Sequence, residues 1–163
     1  MNQLQEIFFE ELEDIYSAES QLIKALPKMA KAAQEQELKD ALTDHLGQTE
    51  NHVERLKQVF QLFNKTPKAK KCKGMEGLID EGKEIISENE DTPGLDAALI
   101  CAAQKVEHYE MASYGSLRAW AQAFGNEQAA RLLQETLNEE EMADEKLNQI
   151  AQRSNRTAVE AMA

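Results

Sequence analysis

The sequence of 163 residues has few residues that turn or break a chain, with only 7 glycines and 3 prolines. Its two cysteines are too few for a disulfide framework. No apolar run approaches the roughly 20 residues that a membrane-spanning helix needs. The first residues also lack the basic and then apolar layout of a signal peptide. These absences argue against a sheet protein, a disulfide-rich secreted domain and a membrane protein, and they predict a cytoplasmic location.

Basic residues are scarce as well, because 18 Lys and Arg stand against 30 Asp and Glu, which gives a net charge of −12. Such a charge repels phosphate backbones and anionic membrane surfaces, so neither nucleic acid nor a membrane is an expected partner. The abundant residues are Ala, Leu, Glu, Gln and Lys, which favour long helices. The length suits a single domain spanning 1–163.

Apolar residues recur every three or four positions in four long segments, the pattern of amphipathic helices. Gly125 is predicted to end the third long helix and Asn126 to cap the fourth. Pro27 is predicted to bend the first helix without ending it. The long helices are predicted at about 4–33, 37–63, 95–124 and 126–152, with a short helix at about 75–88 and a flexible tail at 153–163.

Short turns near 34–36 and at 125 predict two antiparallel hairpins. The connection between the hairpins is about thirty residues long and contains the short helix, whereas an up-down-up-down bundle would have three short loops. We therefore predict an all-α fold, a ferritin-like four-helix bundle with a short fifth helix in its long central crossover.

Polar side chains of the kinds that bind metals interrupt the apolar stripe of every long helix. A buried carboxylate is costly unless it is paired or bound to a metal, so four simultaneous interruptions indicate one shared site. The interrupting residues are Glu19 on the first helix, His45, Thr49 and His52 on the second, Glu107 and Glu110 on the third, and Glu140 and Asp144 on the fourth.

Distances along the chain place these residues at one level of the bundle. Residues equidistant from an antiparallel turn lie side by side, so Glu19 falls opposite position 50 and Glu110 falls opposite Glu140. Both groups lie about fifteen residues, or roughly 22 Å, from their turns. Iron, manganese and zinc accept carboxylate and imidazole ligands, so the pattern predicts a metal site. A hydrogen-bonded polar layer that specifies helix register is the alternative.

Several segments give the chain a family resemblance over nearly its whole length. They are Tyr-Ser-Ala-Glu at 16–19, the region of His45 and Thr49, Lys-Lys-Cys-Lys-Gly-Met-Glu-Gly-Leu at 70–78, Lys-Val-Glu-His-Tyr-Glu at 105–110 with Tyr114, and Leu-Asn-Glu-Glu at 137–140 with Asp144. With these segments the chain resembles the YciF/YciE-type bacterial stress proteins, and Glu-His-Tyr-Glu is the most specific piece. The resemblance implies a ferritin-like fold related to rubrerythrin, a homodimer and a link to stress response, but no particular biochemical activity.

The match to the ligand pattern of di-iron carboxylate bundles is partial. Thr49 stands where the second helix of that pattern has a bridging Glu, and Asp144 stands one position beyond the expected His of the fourth helix. The predicted metal ligands are therefore Glu19, His52, Glu107, Glu110, Glu140 and Asp144. The residues predicted to surround and orient them are Tyr16, His45, Thr49 and Tyr114.

Two functions stay open from the sequence, and it does not decide whether the protein is an enzyme. One is a stress-associated protein that binds one or two iron or manganese ions, for metal storage or for chemistry with peroxide or oxygen. The other is a non-catalytic structural or partner-binding bundle with a vestigial polar core and no metal. Ile7, Phe8 and Phe9 give the first helix more apolar width than one stripe needs, which favours the homodimer.

Some further residues carry weaker predictions. Cys72 lies among the lysines of the loop at 65–73, which should favour its thiolate. A redox-responsive thiol, an intersubunit disulfide and an ordinary exposed loop cysteine are all open, whereas Cys101 is predicted to be a small core residue. Glu139 and Glu141 point off the apolar stripe and are predicted to be solvated charges.

Overall fold

The computed structural model describes residues 1–161. These residues form five α-helices and no β-strand, so the predicted all-α fold is confirmed. The first four helices begin and end within two residues of the predicted bounds. The helices are α1 (Gln3–Ala32), α2 (Gln36–Leu62), α3 (Lys73–Asn89), α4 (Leu95–Ala123) and α5 (Glu127–Glu160).

The helix ends follow local chemistry that the sequence displays. The Asn2 side chain accepts a hydrogen bond from the Gln5 amide at 2.9 Å, and the Gln5 side chain accepts one from the Asn2 amide at 3.0 Å, a capping box. Pro27 lies inside α1 and does not end it. Gly125 has a φ of +73°, a conformation that favours glycine. Asn126 then caps α5 by accepting from the Ala129 amide at 3.0 Å.

The four long helices surround one core. α1 packs against α2 and α4, and α5 packs against α2 and α4, so the order around the bundle is α1, α2, α5, α4. The short helix α3 lies in the crossover and packs outside, against α1 and α4. Two tight hairpins and one long crossover are the connectivity for which the sequence predicted a ferritin-like bundle. Across residues 1–161, no helix is long and apolar enough to cross a membrane.

Asp96 joins the first hairpin to α4. Its side chain is 3 % exposed, and its two oxygens accept the backbone amides of Gln34 and Glu35 at 2.8 and 2.7 Å. These charge-assisted hydrogen bonds fix the turn between α1 and α2. Asp96 is thus a buried carboxylate whose two oxygens are satisfied by the protein.

The last helix extends further than its sequence indicates. α5 continues to Glu160, so the predicted flexible tail is wrong for residues 153–160, and residues 162 and 163 lie outside the described part of the chain. Arg153 donates to Glu35 at 3.2 Å and to Glu37 at 2.5 Å, and Ser154 is buried. These partners belong to a turn more than a hundred residues away, so the local pattern could not reveal them.

Both cysteines lie in environments opposite to those predicted. Cys72 is fully buried at the N-terminus of α3, where its Sγ accepts from the Met75 amide at 3.3 Å and lies 3.1 Å from the Tyr109 hydroxyl. Burial raises the pKa of the Cys72 thiol, so the thiolate is disfavoured despite the nearby lysines. Cys101 is exposed and is not a core residue.

Candidate metal centre

Four carboxylates and two imidazoles meet inside the bundle, and each is at most 5 % exposed. Every long helix contributes at least one of them. On α1, for example, buried Ile15 and Leu22 flank Glu19, so the apolar stripe that packs the helix also directs the carboxylate inward. The six residues are Glu19, His45, His52, Glu107, Glu110 and Glu140.

The six residues form two overlapping groups of potential ligands. The first group consists of His45, Glu107, Glu110 and Glu140, and the second consists of Glu19, His52 and Glu140. Within each group, one ligand atom per residue can be chosen so that all lie within 4.8 Å of one another. Opposite ligands of an ion bound at 2.0–2.3 Å are about 4–4.6 Å apart, so the side chains are already close to coordination spacing. Glu140 belongs to both groups, which is the position of a bridging carboxylate.

His45 presents one ring nitrogen to the first group. Its Nε2 lies 3.0 Å from Oε1 of Glu107 and 3.8 Å from Oε2 of Glu140. Its Nδ1 lies 3.1 Å from Oε1 of Gln48. An amide oxygen only accepts hydrogen bonds, so Nδ1 carries the hydrogen of this contact and Nε2 is the nitrogen directed at the centre.

His52 has the opposite ring orientation in the second group. Its Nδ1 lies 3.1 Å from Oε1 of Glu19 and 3.0 Å from Oε1 of Glu140. Its Nε2 lies 3.2 Å from Oε2 of Glu139, which also forms an ion pair with Arg55. Glu139 is therefore not the solvated charge that was predicted, because it fixes the ring of His52 so that Nδ1 faces the centre.

The carboxylates of the centre, unlike Asp96, are only partly satisfied by protein donors. Within residues 1–161, nine buried side-chain nitrogen or oxygen atoms have no partner in hydrogen-bonding geometry, and seven of them belong to this centre. They include both oxygens of Glu110 and both of Glu140. A buried polar group without a partner costs about 1–3 kcal/mol. The centre thus concentrates unmet ligand capacity at one place in the core.

Burial and crowding divide the acids of the centre into two kinds. Burial, reinforced by the charges of Glu140 and Glu19, raises the pKa of Glu110 well above its ordinary value. Burial and the charge of Glu107 do the same to the pKa of Glu140. Burial also opposes ionisation of Glu107 and His45, but the attraction between their opposite charges outweighs the effect of burial. The pKa of Glu107 is therefore lowered and that of His45 is raised. Without a cation, Glu107 and His45 form an ion pair, whereas Glu110 and Glu140 resist ionisation.

Two of the residues predicted to surround the ligands lie beside the centre. The buried Tyr114 hydroxyl donates to Oε1 of Glu19 at 2.5 Å. Burial and the charge of Glu19 raise the pKa of Tyr114, so the hydroxyl stays a donor. The buried Thr49 hydroxyl donates to the backbone carbonyl of His45 at 2.8 Å, within α2.

Two other predicted residues are placed elsewhere. Oδ1 of Asp144 accepts from Gln104 at 3.2 Å, and Oδ2 lies 3.3 Å from Nε2 of His108, so Asp144 belongs to neither ligand group. Both partners of Asp144 belong to α4, and they hold its carboxylate one helical turn beyond Glu140. Tyr16 is half-buried, and its ring packs edge-on against Phe60 with centroids 5.9 Å apart.

The structure brings His45 into a group of potential ligands and places Glu139 against His52, and the sequence predicted neither position. The sequence predicts that His45 only orients ligands, although its place on one stripe with Thr49 and His52 at helical spacing also fits a potential ligand. For Glu139 the sequence contains no such pattern. Its position depends on Arg55 and His52, which reach it across the contact between α2 and α5.

The fold and the centre together define an all-helical bundle protein whose four long helices share a buried carboxylate and histidine cluster. Residues 3–160 match the family described as a domain of unknown function, DUF892. The chain belongs to this family.

Known relatives confirm the predicted family. The chain is similar to Protein YciF of Escherichia coli (strain K12), with 47% identity over 152 residues that cover 93% of this chain and 92% of that protein. The crystal structure of the E. coli stress protein YciF matches with a TM-score of 0.91 and 45% identity, covering 96% of this chain and 99% of that one. YcfI from Rhodopseudomonas palustris matches with a TM-score of 0.87 and 44% identity, covering 90% and 94%. A Xanthomonas campestris protein, at 21% identity and a TM-score of 0.76 over 99% of both chains, shares the fold alone.

Proposed function

We propose that this protein binds iron or manganese in the core of its bundle, with two ion positions that share Glu140, and that it does so as a stress-associated protein. The observation that carries the proposal is the set of seven buried ligand atoms without partners, distributed over two groups at nearly coordination spacing. The stress association is supported by the E. coli relative, which is described as a stress protein.

The donor set suits these cations. Carboxylate oxygens and imidazole nitrogens are ligands for iron and manganese, and the centre contains no thiolate that would favour softer ions. Glu110 and Glu140 resist ionisation because they are buried next to other acids. A bound cation reverses this balance, since its positive charge favours the ionised carboxylates.

Each protein group has a distinct part in holding the cations. His45 and His52 each direct one nitrogen inward, and Gln48 and Glu139 hold the opposite edges of the rings. Tyr114 orients Glu19 through its short hydrogen bond. The protein would either store the bound iron or manganese, or use the redox chemistry that the bound metal would supply toward peroxide or oxygen.

The proposal is tested by elemental analysis of protein purified without chelator, together with an anomalous-difference map of its crystals. We expect iron or manganese at one to two ions per chain, with anomalous peaks between the side chains of the two groups. The rival function, a structural bundle with a vestigial polar core, predicts trace metal and no peak. It also predicts the same thermal stability with and without added Mn²⁺, and that combination would refute the proposal.

A further inference from the structure

A surface depression between α2 and α5 leads to the first ligand group. Its volume is about 490 Å³, and its lining runs from exposed Asp40 and Asp44 on α2 to buried His45 and Glu107. Nε2 of His45, which lies 3.0 Å from Oε1 of Glu107, and Oε2 of Glu107 have no partner in hydrogen-bonding geometry within residues 1–161. The depression therefore joins the solvent to two atoms with unused ligand capacity.

The charges around the depression are unbalanced toward the acidic side. Lys146, the one lysine or arginine in its lining, donates to Glu37 at 3.0 Å, and Arg153 pairs with Glu37 and Glu35, so the charges of these four side chains offset one another. Asp40 accepts a hydrogen bond only from the neutral Gln36, at 2.8 Å, and Asp44 forms no ion pair within the described residues. Two carboxylates thus stand at the outer part of the depression without a cationic partner.

On the α5 side, the lining of the depression includes one small residue. Ala143 is half-buried and lines the depression, while its neighbour Met142 is 69% exposed. A larger side chain at position 143 would take up part of the space of the depression, which Asp40, Asp44 and His45 also line. A substitution at position 143 can therefore narrow the depression without changing any of the potential ligands.

We propose that this depression is the route by which divalent cations reach the centre, and that Asp40 and Asp44 guide them electrostatically. The inference rests on the metal-binding function proposed above. Acidic side chains in a concave surface raise the local concentration of cations and their association rate by about 10–10³-fold. Because Asp40 and Asp44 are not ligands, they act chiefly on the rate of loading, and salt weakens their effect.

The inference is tested by stopped-flow absorbance as Co²⁺ binds the metal-free full-length chain. We expect the double variant Asp40→Asn/Asp44→Asn to load about tenfold more slowly at low salt, and to approach the wild-type rate at 0.5 M salt. A matched control is Glu50→Gln/Glu54→Gln, which removes the same charge from exposed positions of α2 outside the depression. The control should load at close to the wild-type rate.

A second variant tests the route by shape instead of charge. Ala143→Leu should slow both Co²⁺ loading and EDTA-driven release by similar factors, so that the equilibrium affinity for Co²⁺ is unchanged. If wild type binds Co²⁺ at equilibrium but neither the Asp40→Asn/Asp44→Asn variant nor Ala143→Leu alters the rates, the route is wrong and the metal function stands. If wild type binds no Co²⁺ at equilibrium, the metal function itself is overturned, and the route with it.

Discussion

Glu139 and His52 form a hydrogen bond that connects the surface of α5 to the buried centre, with Oε2 of Glu139 lying 3.2 Å from Nε2 of His52. The same oxygen pairs with Nη1 of Arg55, and Oε1 of Glu139 accepts from Nη2 of Arg55 at 3.2 Å. Although burial opposes ionisation of Glu139, the hydrogen bond and charge of Arg55 outweigh it and lower the pKa of this carboxyl. Glu139 is therefore an ionised acceptor that holds the His52 ring with Nδ1 toward the centre.

Removing Glu139 should weaken metal binding although Glu139 is not a ligand. We expect Glu139→Ala to lower the affinity for Mn²⁺ by about 10–100-fold, the usual effect of losing a carboxylate that orients a ligating histidine. Isothermal titration calorimetry on metal-free protein measures the change. Glu141→Ala is the matched control, since Glu141 is an exposed neighbour on the same helix, and equal affinities for the two variants would contradict the role of Glu139.

The sequence predicts those parts of the site that depend on helix periodicity. Glu19, Glu107, Glu110 and Glu140 interrupt apolar stripes at equal distances from tight turns, and helix geometry alone then brings them together. Asp144 shows the limit of that reasoning, because a one-position offset from the expected histidine leaves its carboxylate among surface partners.

Features that depend on contacts between distant helices were not predictable from local patterns. The Arg55–Glu139 pair joins α2 to α5, and Arg153 stabilises the end of α5 by reaching Glu35 and Glu37. Neither contact leaves a periodic trace in the sequence, since each partner by itself looks like an ordinary surface charge.

The metal-free protein is expected to lose stability as the pH rises from about 5 to 8. The folded pKa values of Glu110 and Glu140 lie above their ordinary value, so the native state binds more protons than the unfolded state over this range. The raised pKa of His45 acts in the same direction, since its stabilisation is complete below about pH 6.5 and is lost above it. The pKa values of Glu107 and Glu139 are lowered in the folded protein, so these two groups stabilise it at higher pH. Their contribution is lost as the pH falls below about 4.3.

Urea unfolding in EDTA at a series of pH values measures how the free energy of unfolding changes with pH. The variant Glu110→Gln is compared with wild type in the same measurement. It should flatten the pH dependence and raise the Tm of the metal-free protein at pH 8 by about 2–4 °C, the shift that roughly 1 kcal/mol produces in a domain of this size. In saturating Mn²⁺ the wild-type slope should reverse, because the cation binds the ionised carboxylates. A lower Tm for metal-free Glu110→Gln at pH 8 would contradict this account.

The expected homodimer has a narrower candidate surface than the sequence indicated. Phe8 is fully buried, and its ring packs against Phe63 and Phe124 with centroids 5.0 and 5.5 Å away. Ile7, 45% exposed, remains on the same part of α1. We expect a dimer by light scattering at tens of micromolar and a monomer for Ile7→Glu, with exposed Val159→Glu as the control. A monomeric wild type under the same conditions would contradict the dimer prediction.

The sharing of Glu140 between the two ligand groups makes a specific prediction about stoichiometry. Wild type should bind two Mn²⁺ ions per chain, measured by equilibrium dialysis and elemental analysis. His45→Ala removes the one imidazole of the first group and His52→Ala the one imidazole of the second, so each variant should retain about one ion. Glu140→Ala removes an oxygen donor from both groups and should bind fewer ions than either histidine variant. If instead His45→Ala and His52→Ala each abolished all binding, the six side chains would have to surround a single ion, and Glu140 would then be an ordinary ligand and not a bridge.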